Sequence, residues 1–479
     1  MNRPIVRLYG LVVVLFAVLI GFTSRWTIFE ASSLRTNPLN KRGLLQQQRI
    51  NRGEILAADG TVLARSVRDR EGFYTRVYPT GDEFTHAIGY SFIEPGQTGL
   101  ERYRSNALNG ETGTSVRSIL DELQGRKPQG NTVLTALQPA AQRVAISALG
   151  EHEGAVVALD PRTGAVEVMA STPSYNANDA SSHTAYERIT GEPGAPLVNR
   201  AVQFGYAPGS TFKVVTATAA IDTGQFTPES LVSGRNGIEV SGVPLKNDDN
   251  ESFGDITLTE ALAHSVNTVY AQVAERVGKQ TLARYMRRFG FDRKPQLDYP
   301  AEEMSASGEY VGEKLLSPTS TYVDVGRMGI GQDKLKVTPL QMAEVAAAVA
   351  NHGTLMVPHL TTAIVEPDGH VLQRISPKVQ SVVMKSSTAA AVTTMMEAVV
   401  YSPGATGTSA QIPGVRVAGK TGTAETQIGT AINNVWFIAF APARNPTVAV
   451  AVTLAKVPGQ GALFAAPVAR QVMESLLHG

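Results

Sequence analysis

The stretch GAVVALDPRTGAVEVMAS, residues 154–171, decides the fold. Two runs dense in Val, Ala and Met flank Asp160-Pro161-Arg162-Thr163-Gly164. Asp, Pro and Gly form turns, so the stretch predicts a β-hairpin. Three more β-rich runs close the chain: VRVAGKTGTAET (415–426), NNVWFIAFAPA (433–443) and PTVAVAVTLAK (446–456). Helical sequence fills the space between. Thr257 and Glu260 are spaced as a capping box, and TPLQMAEVAAAVANHG (338–353) offers Thr338 as cap, Pro339 at the first helical position and Gly353 as stop. A last helical segment, APVARQVMESLLHG (466–479), ends the chain. Two strands early, helices in the middle, three strands late and a final helix predict an α+β domain. Its sheet should be mainly antiparallel and about five-stranded, with helices on its faces.

Upstream the character changes. NTVLTALQPAAQRVAISALG (131–150) reads as a strand leading through Pro139 into a helix, and NRGEILAADGTVLARS (51–66) as strand, turn at Asp59-Gly60, strand. Residues 65–130 are rich in Gly, Arg and Asn and predict an irregular, partly extended region, and Arg35 to Asn51 is polar with few element signals. LYGLVVVLFAVLIGFTS, Leu8 to Ser24, carries no charge and lies between Arg7 and Arg25. A bilayer span needs ~20 apolar residues, from about 17 upward. No small-residue cleavage site follows, so the segment predicts a membrane anchor rather than a signal peptide. Arginines and a lysine on both sides leave its orientation open. The expected division is a short tail and anchor over 1–25, an elongated N-terminal non-catalytic domain over 26–150, and a catalytic domain over 151–479.

Composition narrows the function classes. The 479 residues carry 43 Lys+Arg against 42 Asp+Glu, without the basic footprint of a nucleic-acid binder. The absence of cysteine excludes disulfides, thiol nucleophiles and cysteine-held metals or clusters.

Three short elements carry chemistry. In FGYAPGSTFKVVTATAA (204–220), Pro208-Gly209 breaks the chain before a helical pattern, which places Ser210 in a first turn and Lys213 one turn on. A serine nucleophile needs a base. A lysine serves only when its pKa falls from about 10.4 to near 7 or 8, at ~1.36 kcal/mol per pH unit. Alone, this pair equally suits a helix cap beside a surface lysine. Ser265-Val266-Asn267 falls between two helical patterns and is by itself another cap. A similar Ser174-Tyr175-Asn176 lies in a turn-rich loop and is set aside. Lys420-Thr421-Gly422-Thr423 lies on a predicted strand, where Gly422 suggests close approach to the backbone. A phosphate loop would need a helix after that lysine, and none is predicted.

In this order STFK, SVN and KTGT match the S-x-x-K, S-D-N and K-T-G signature set shared by β-lactamases and penicillin-binding proteins, except that Val266 stands at the centre of the middle element. YAPGSTFK, NRAVQFGYAPGS, VTPLQMAEVAAAVANHG, AGKTGTAE and WFIAFAPA resemble the transpeptidase domain of class B penicillin-binding proteins. RGEILAADGTVLA, AIGY and GLERY resemble that family's N-terminal non-catalytic domain. The compact size is similar to the penicillin-binding protein A type of actinobacteria. The resemblance implies a penicillin-binding transpeptidase fold and a peptidoglycan DD-transpeptidase without metal or cofactor. Ser210 would be the nucleophile on the penultimate D-Ala carbonyl of a stem peptide, and Lys213 its base. Ser265 would relay a proton to the departing D-Ala, and Asn267 would hold the acyl chain. Lys420 would supply positive potential for the substrate carboxylate, and Thr421, Gly422 and Thr423 would line the substrate. The backbone N–H groups of Ser210 and Thr423 would form the oxyanion hole. Implied partners are stem peptides, β-lactams, the membrane and proteins of cell-wall synthesis or division, with the catalytic domain outside the cytoplasm.

Rival readings are a β-lactam sensor, a non-catalytic division scaffold, a DD-carboxypeptidase and a β-lactamase. No Glu-x-x-Leu-Asn follows the Ser-x-Asn element, as a class A β-lactamase would require. No G-x-S-x-G elbow is present for a Ser-His-Asp hydrolase.

Overall fold

The computed structural model describes residues 3–25, 49–111, 129–425 and 432–478. Most of the polar stretch Arg35–Asn51, and the part of the irregular region over 112–128, lie outside the described residues. Helix α1 spans Arg3–Ser24. Its segment Val6–Ser24 has mean hydropathy 2.3 and buries none of its length in the protein, so by length and composition it suits a membrane anchor.

Strands β1 (Ile55–Leu56), β2 (Val62–Arg68) and β3 (Tyr74–Val77) follow, then β4 (Thr132–Thr135) and α2 (Pro139–Leu149). The decisive hairpin is β5 (Gly154–Leu159) and β6 (Val166–Thr172). Helices α3 (Lys213–Asp222), α4 (Leu258–Ala263), α5 (Asn267–Val277) and α6 (Pro339–Ala350) fill the middle. Then come β7 (Thr361–Val365), β8 (Val371–Arg374), α7 (Ser386–Tyr401), β9 (Ala418–Glu425), β10 (Ile432–Ala441), β11 (Val448–Pro458) and α8 (Ala465–His478).

The hairpin and the three late strands make one antiparallel five-stranded sheet, in the order β9-β10-β11-β5-β6. Strands β5, β10 and β11 are largely apolar on both faces because both faces are covered. Trp436, Ile438 and Phe440 join a core with α3, α5 and α6, while the alternating Phe437, Ala439 and Ala441 join a second core with α2 and α8. Period-two alternation therefore sorts two cores rather than core from solvent. All twelve residues of α6 are buried.

The caps form as their sequence suggests. Thr257 Oγ1 accepts from Glu260 N, and Glu260 Oε2 accepts from Thr257 N. Thr338 caps α6, which ends at Ala350, short of Gly353.

A second sheet runs β8-β7-β4-β1-β2-β3. It is mixed: β1 pairs parallel with β4 and antiparallel with β2, and β7 joins β4 from the far end of the chain, with Ile364 opposite Val133. The N-terminal sheet thus takes two strands from residues 361–374. Conversely, α2 packs through Ala141, Ala145 and Leu149 onto the core of the five-stranded sheet.

Candidate active site

The backbone places Ser210 before any side chain does. Gly209 has φ +51°, in the left-handed region, and its N–H donates to Gly331 O at 3.0 Å. A Cβ at Gly209 would lie 2.5 Å from Thr423 O and 3.1 Å from Thr423 N. A Cβ at Gly422 would lie 2.7 Å from Pro208 O. The 208–211 turn and strand β9 therefore touch backbone to backbone, at a spacing only glycine allows. Among the described residues β9 is the edge strand of its sheet, so alternate backbone groups along it have no strand partner there.

Ser210 sits in a tight 3₁₀ turn, Gly209–Phe212, and the α-helix begins only at Lys213. The first-turn expectation is corrected to that extent. Thr211 Oγ1 closes the turn by donating to Pro208 O at 2.8 Å. Such turns are common at helix N-termini.

Lys213 is fully buried, and its Nζ donates to Ser265 O at 2.6 Å and Asn267 Oδ1 at 2.7 Å, with Ser265 Oγ at 3.3 Å. Among the described residues no hydrogen bond joins it to Ser210. Lys420, also fully buried, reaches Ser265 Oγ at 3.0 Å from the opposite strand. Its Nζ also meets Thr421 O at 3.0 Å and Thr421 Oγ1 at 3.2 Å. Ser265 stands in the break between α4 and α5 with φ +60°, an uncommon backbone state for serine. Asn267 opens α5. Its Nδ2 donates to Lys246 O and Asp248 Oδ1, each at 3.2 Å. Ser210 and Thr423 are half-buried, so the cluster reaches solvent beside them.

Two fully buried amines that share Ser265 cannot both stay charged cheaply. Burial pulls Lys213 down to about 7, and the Asp248 carboxylate acts the other way. Burial, then the neighbouring Lys213, pull Lys420 well below the ordinary lysine range, again against Asp248. A neutral Lys213 has two N–H groups, which match its two close carbonyl acceptors. Its lone pair is then left for a hydroxyl proton.

Residues 154–474 match the family of penicillin binding protein transpeptidase domains, and residues 52–133 match the penicillin binding protein A dimerisation domain. The chain belongs to the penicillin-binding protein transpeptidase family. Among curated relatives, the peptidoglycan D,D-transpeptidase PbpA of Mycobacterium tuberculosis is 35% identical over 508 residues, covering 100% of both chains. That of Mycolicibacterium smegmatis is 34% identical over 504 residues, covering 100% of this chain and 99% of the relative. Among solved structures, penicillin-binding protein A of M. tuberculosis as its ceftriaxone acyl-enzyme has TM-score 0.80 at 33% identity, covering 90% of this chain and 100% of that one.

In this penicillin-binding protein the fold brings together the side chains of Lys213, Ser265, Asn267, Lys420 and Thr421, with Ser210, Gly422 and Thr423 placed by backbone contact. Sequence reading missed Asp248 and Thr406, whose Oγ1 lies 2.7 Å from Thr421 Oγ1. Neither carries a local pattern. Asp248 lies in a loop whose Asn247 side chain donates to Gly234 O and accepts from Thr268 N. The spare Ser-x-Asn element is structural: Asn176 caps a 3₁₀ turn, and Ser174 Oγ donates to Asp82 O.

Proposed function

We propose that this penicillin-binding protein is a membrane-anchored serine D,D-transpeptidase that cross-links peptidoglycan stem peptides. One observation carries the site assignment: two buried amines converge on Ser265, and the one that also holds Asn267, Lys213, lies three residues beyond the half-buried Ser210. The D,D-transpeptidase names of the relatives support the same reading.

Ser210 Oγ attacks the carbonyl carbon of the penultimate D-Ala while its proton passes to neutral Lys213. The oxyanion is held by the N–H groups of Ser210 and Thr423, each worth roughly 2.7–4 kcal/mol of transition-state stabilisation. Collapse breaks the C–N bond, and Ser265 relays a proton to the departing D-Ala amine. Lys420, with Thr421, draws in the terminal carboxylate, and Asn267 holds the acyl chain. An amine from a neighbouring stem peptide then takes the acyl group and restores the Ser210 proton through the same relay. Water in place of the amine gives carboxypeptidase side activity. A β-lactam acylates the same serine.

The anchor is single-pass, with the catalytic body on the extracytoplasmic side where the polymer lies. In sequence, 26–150 is assigned to the non-catalytic domain and 151–479 to the transpeptidase domain, with two exchanges across that line: α2 packs on the transpeptidase core, and β7 and β8 complete the N-terminal sheet. Cell division, with proteins of that machinery as partners, is the proposed setting.

The test pairs wild type with Ser210→Ala, first with a fluorescent penicillin and then with a D-Ala-terminated donor and an amine acceptor. Wild type should label and transfer, and the variant should do neither. Labelling of Ser210→Ala would overturn the nucleophile assignment. A wild type that labels but never transfers would point to a sensor or scaffold.

A further inference from the structure

Thr406 lies in the turn that follows α7, and this turn is tied to the cluster from two sides. Thr406 N donates to Ala263 O at 3.2 Å, at the end of α4 and two residues before Ser265. Gly407 N donates back to Val399 O at 2.9 Å, and a Cβ on Gly407 would lie 3.0 Å from that oxygen. From this fixed turn the Thr406 hydroxyl reaches Thr421 Oγ1 on β9 at 2.7 Å. Thr421 is 5% exposed, and Thr406 and Thr423 are half-buried, so the hydroxyl pair lies where the cluster meets solvent.

The chain of contacts has a direction. A threonine hydroxyl has one proton to give and two lone pairs to receive. Thr406 has two acceptors in reach, Thr421 Oγ1 at 2.7 Å and Ala263 O at 3.4 Å. O–H···O bonds run from about 2.5 to 3.0 Å, so only the first is well made. Ala263 O is moreover already held by Thr406 N. Thr406 therefore donates to Thr421. Lys420 Nζ, at 3.2 Å, gives Thr421 Oγ1 a second hydrogen, as an amine can in either charge state. Thr421 thus accepts twice, and its own proton has no oxygen left to meet among the described residues. A hydroxyl that accepts in this way is polarised into a stronger donor.

We propose that Thr406 is a positioning residue, whose hydroxyl turns the Thr421 O–H outward to donate to the terminal carboxylate of the donor peptide or of a β-lactam. Thr406 acts through Thr421 and does not touch the substrate. A carboxylate makes stronger hydrogen bonds than a neutral carbonyl, so a carboxylate feels the loss of Thr406 and an amide or ester in its place does not. Naming the ligand as a stem-peptide donor rests on the transpeptidase reading; the outward aim of Thr421 at a carboxylate does not.

The full chain in detergent micelles is assayed for acyl transfer to glycinamide from an N-acylated D-Ala-D-Ala donor and from the same donor amidated at its C-terminus. Thr406→Val keeps the shape and removes the hydroxyl. It should raise KM for the carboxylate donor by about fivefold or more, with kcat held within about twofold, because a hydrogen bond to a charged group is weakened. The amidated donor should be handled as by wild type, and Thr406→Ser should restore the carboxylate KM. In a Thr421→Val background Thr406→Val should add nothing, since the two hydroxyls act as one unit. Equal losses on both donors, an unchanged KM, or a serine that does not rescue would each overturn the proposal. An additive loss in the Thr421→Val background would overturn it too, because Thr406 would then meet the carboxylate itself. If Thr406→Val fails to label with penicillin and is thus misfolded, Thr406→Ala takes its place. A wild type that labels with penicillin but transfers from neither donor would sink the transpeptidase reading alone. The acylation rates of penicillin and of its methyl ester then decide: a selective loss on the free acid in Thr406→Val upholds the positioning role, and equal effects on acid and ester overturn it.

Discussion

Lys213 gives its two N–H groups to Ser265 O and Asn267 Oδ1, and burial holds its pKa near 7. Below that pH the amine is protonated and has no lone pair; above it the base is free. Acylation by penicillin should therefore rise between pH 6 and 8 and then level off, in stopped-flow measurements. Asp248 raises both amines, so Asp248→Asn should let them deprotonate more easily and move the rising limb to lower pH. An unmoved limb, or one displaced upward, would remove Asp248 from the electrostatics of the site. Lys213→Ala should slow acylation by about 10²–10⁴, and Lys213→Arg should not restore it, because a guanidinium stays protonated. The spacing of Ser210 and Lys213 is a local geometric fact, but alone it suited a helix cap beside a surface lysine equally well, so this pair too was legible through the ordered set. Ser265 and Lys420 were legible in the same way, as members of that set. Asp248 and Thr406 were not legible, since loop packing alone delivers them.

At the scale of elements, four strands of the catalytic sheet were readable because burial on both faces makes their runs largely apolar; β9, AGKTGTAE, was read as the strand that follows VRV. In the second sheet the β1–β2 hairpin and β4 were readable, but the way the six strands assemble was not. β1 has two residues, and β7 reaches β4 across more than two hundred residues of chain, a pairing no local pattern announces. The contact between the 208–211 turn and β9 is likewise non-local, though Gly209 and Gly422 hinted at it. Gly209→Ala tests that contact. An alanine at φ +51° costs on the order of 1–3 kcal/mol, and its Cβ would press on Thr423 O. Either the turn or β9 must shift, and misplacement by about 1 Å can cost 10²-fold in rate. Acylation should therefore fall at least tenfold, while the urea midpoint falls only by what the strain explains. Acylation at the wild-type rate would mean that the backbone contact does not set the geometry of Ser210.

Over the whole molecule, the two sheets share one core. Ile55 and Val133 of the N-terminal sheet belong to the same cluster as α3 and α6. Arg104 adds a polar tie, with Nη2 on Asp298 Oδ2 at 2.9 Å and Nε on Thr361 Oγ1 at 3.0 Å. A strain or charge buried in α6 is thus felt by the entire body. Glu344 is such a charge: it is 3% exposed, and its Oε1 has no partner among the described residues. Burial pushes its pKa from 4.5 up to about 8, with Arg293 opposing. The folded state therefore holds a proton that the unfolded chain releases near pH 4.5. The stabilisation is complete below pH 4.5 and is lost as pH rises toward 8, by roughly 3 kcal/mol between pH 4.5 and 7. Glu309, raised to about 8, and Glu167, raised to about 7, act with the same sign. Urea midpoints should accordingly fall between pH 5 and pH 8. Glu344→Gln keeps the shape and removes the titration, so its midpoint should match wild type near pH 5 and exceed it at pH 8. Parallel pH profiles for the two proteins would mean that Glu344 does not titrate with unfolding, and that the fall arises from the other buried carboxylates.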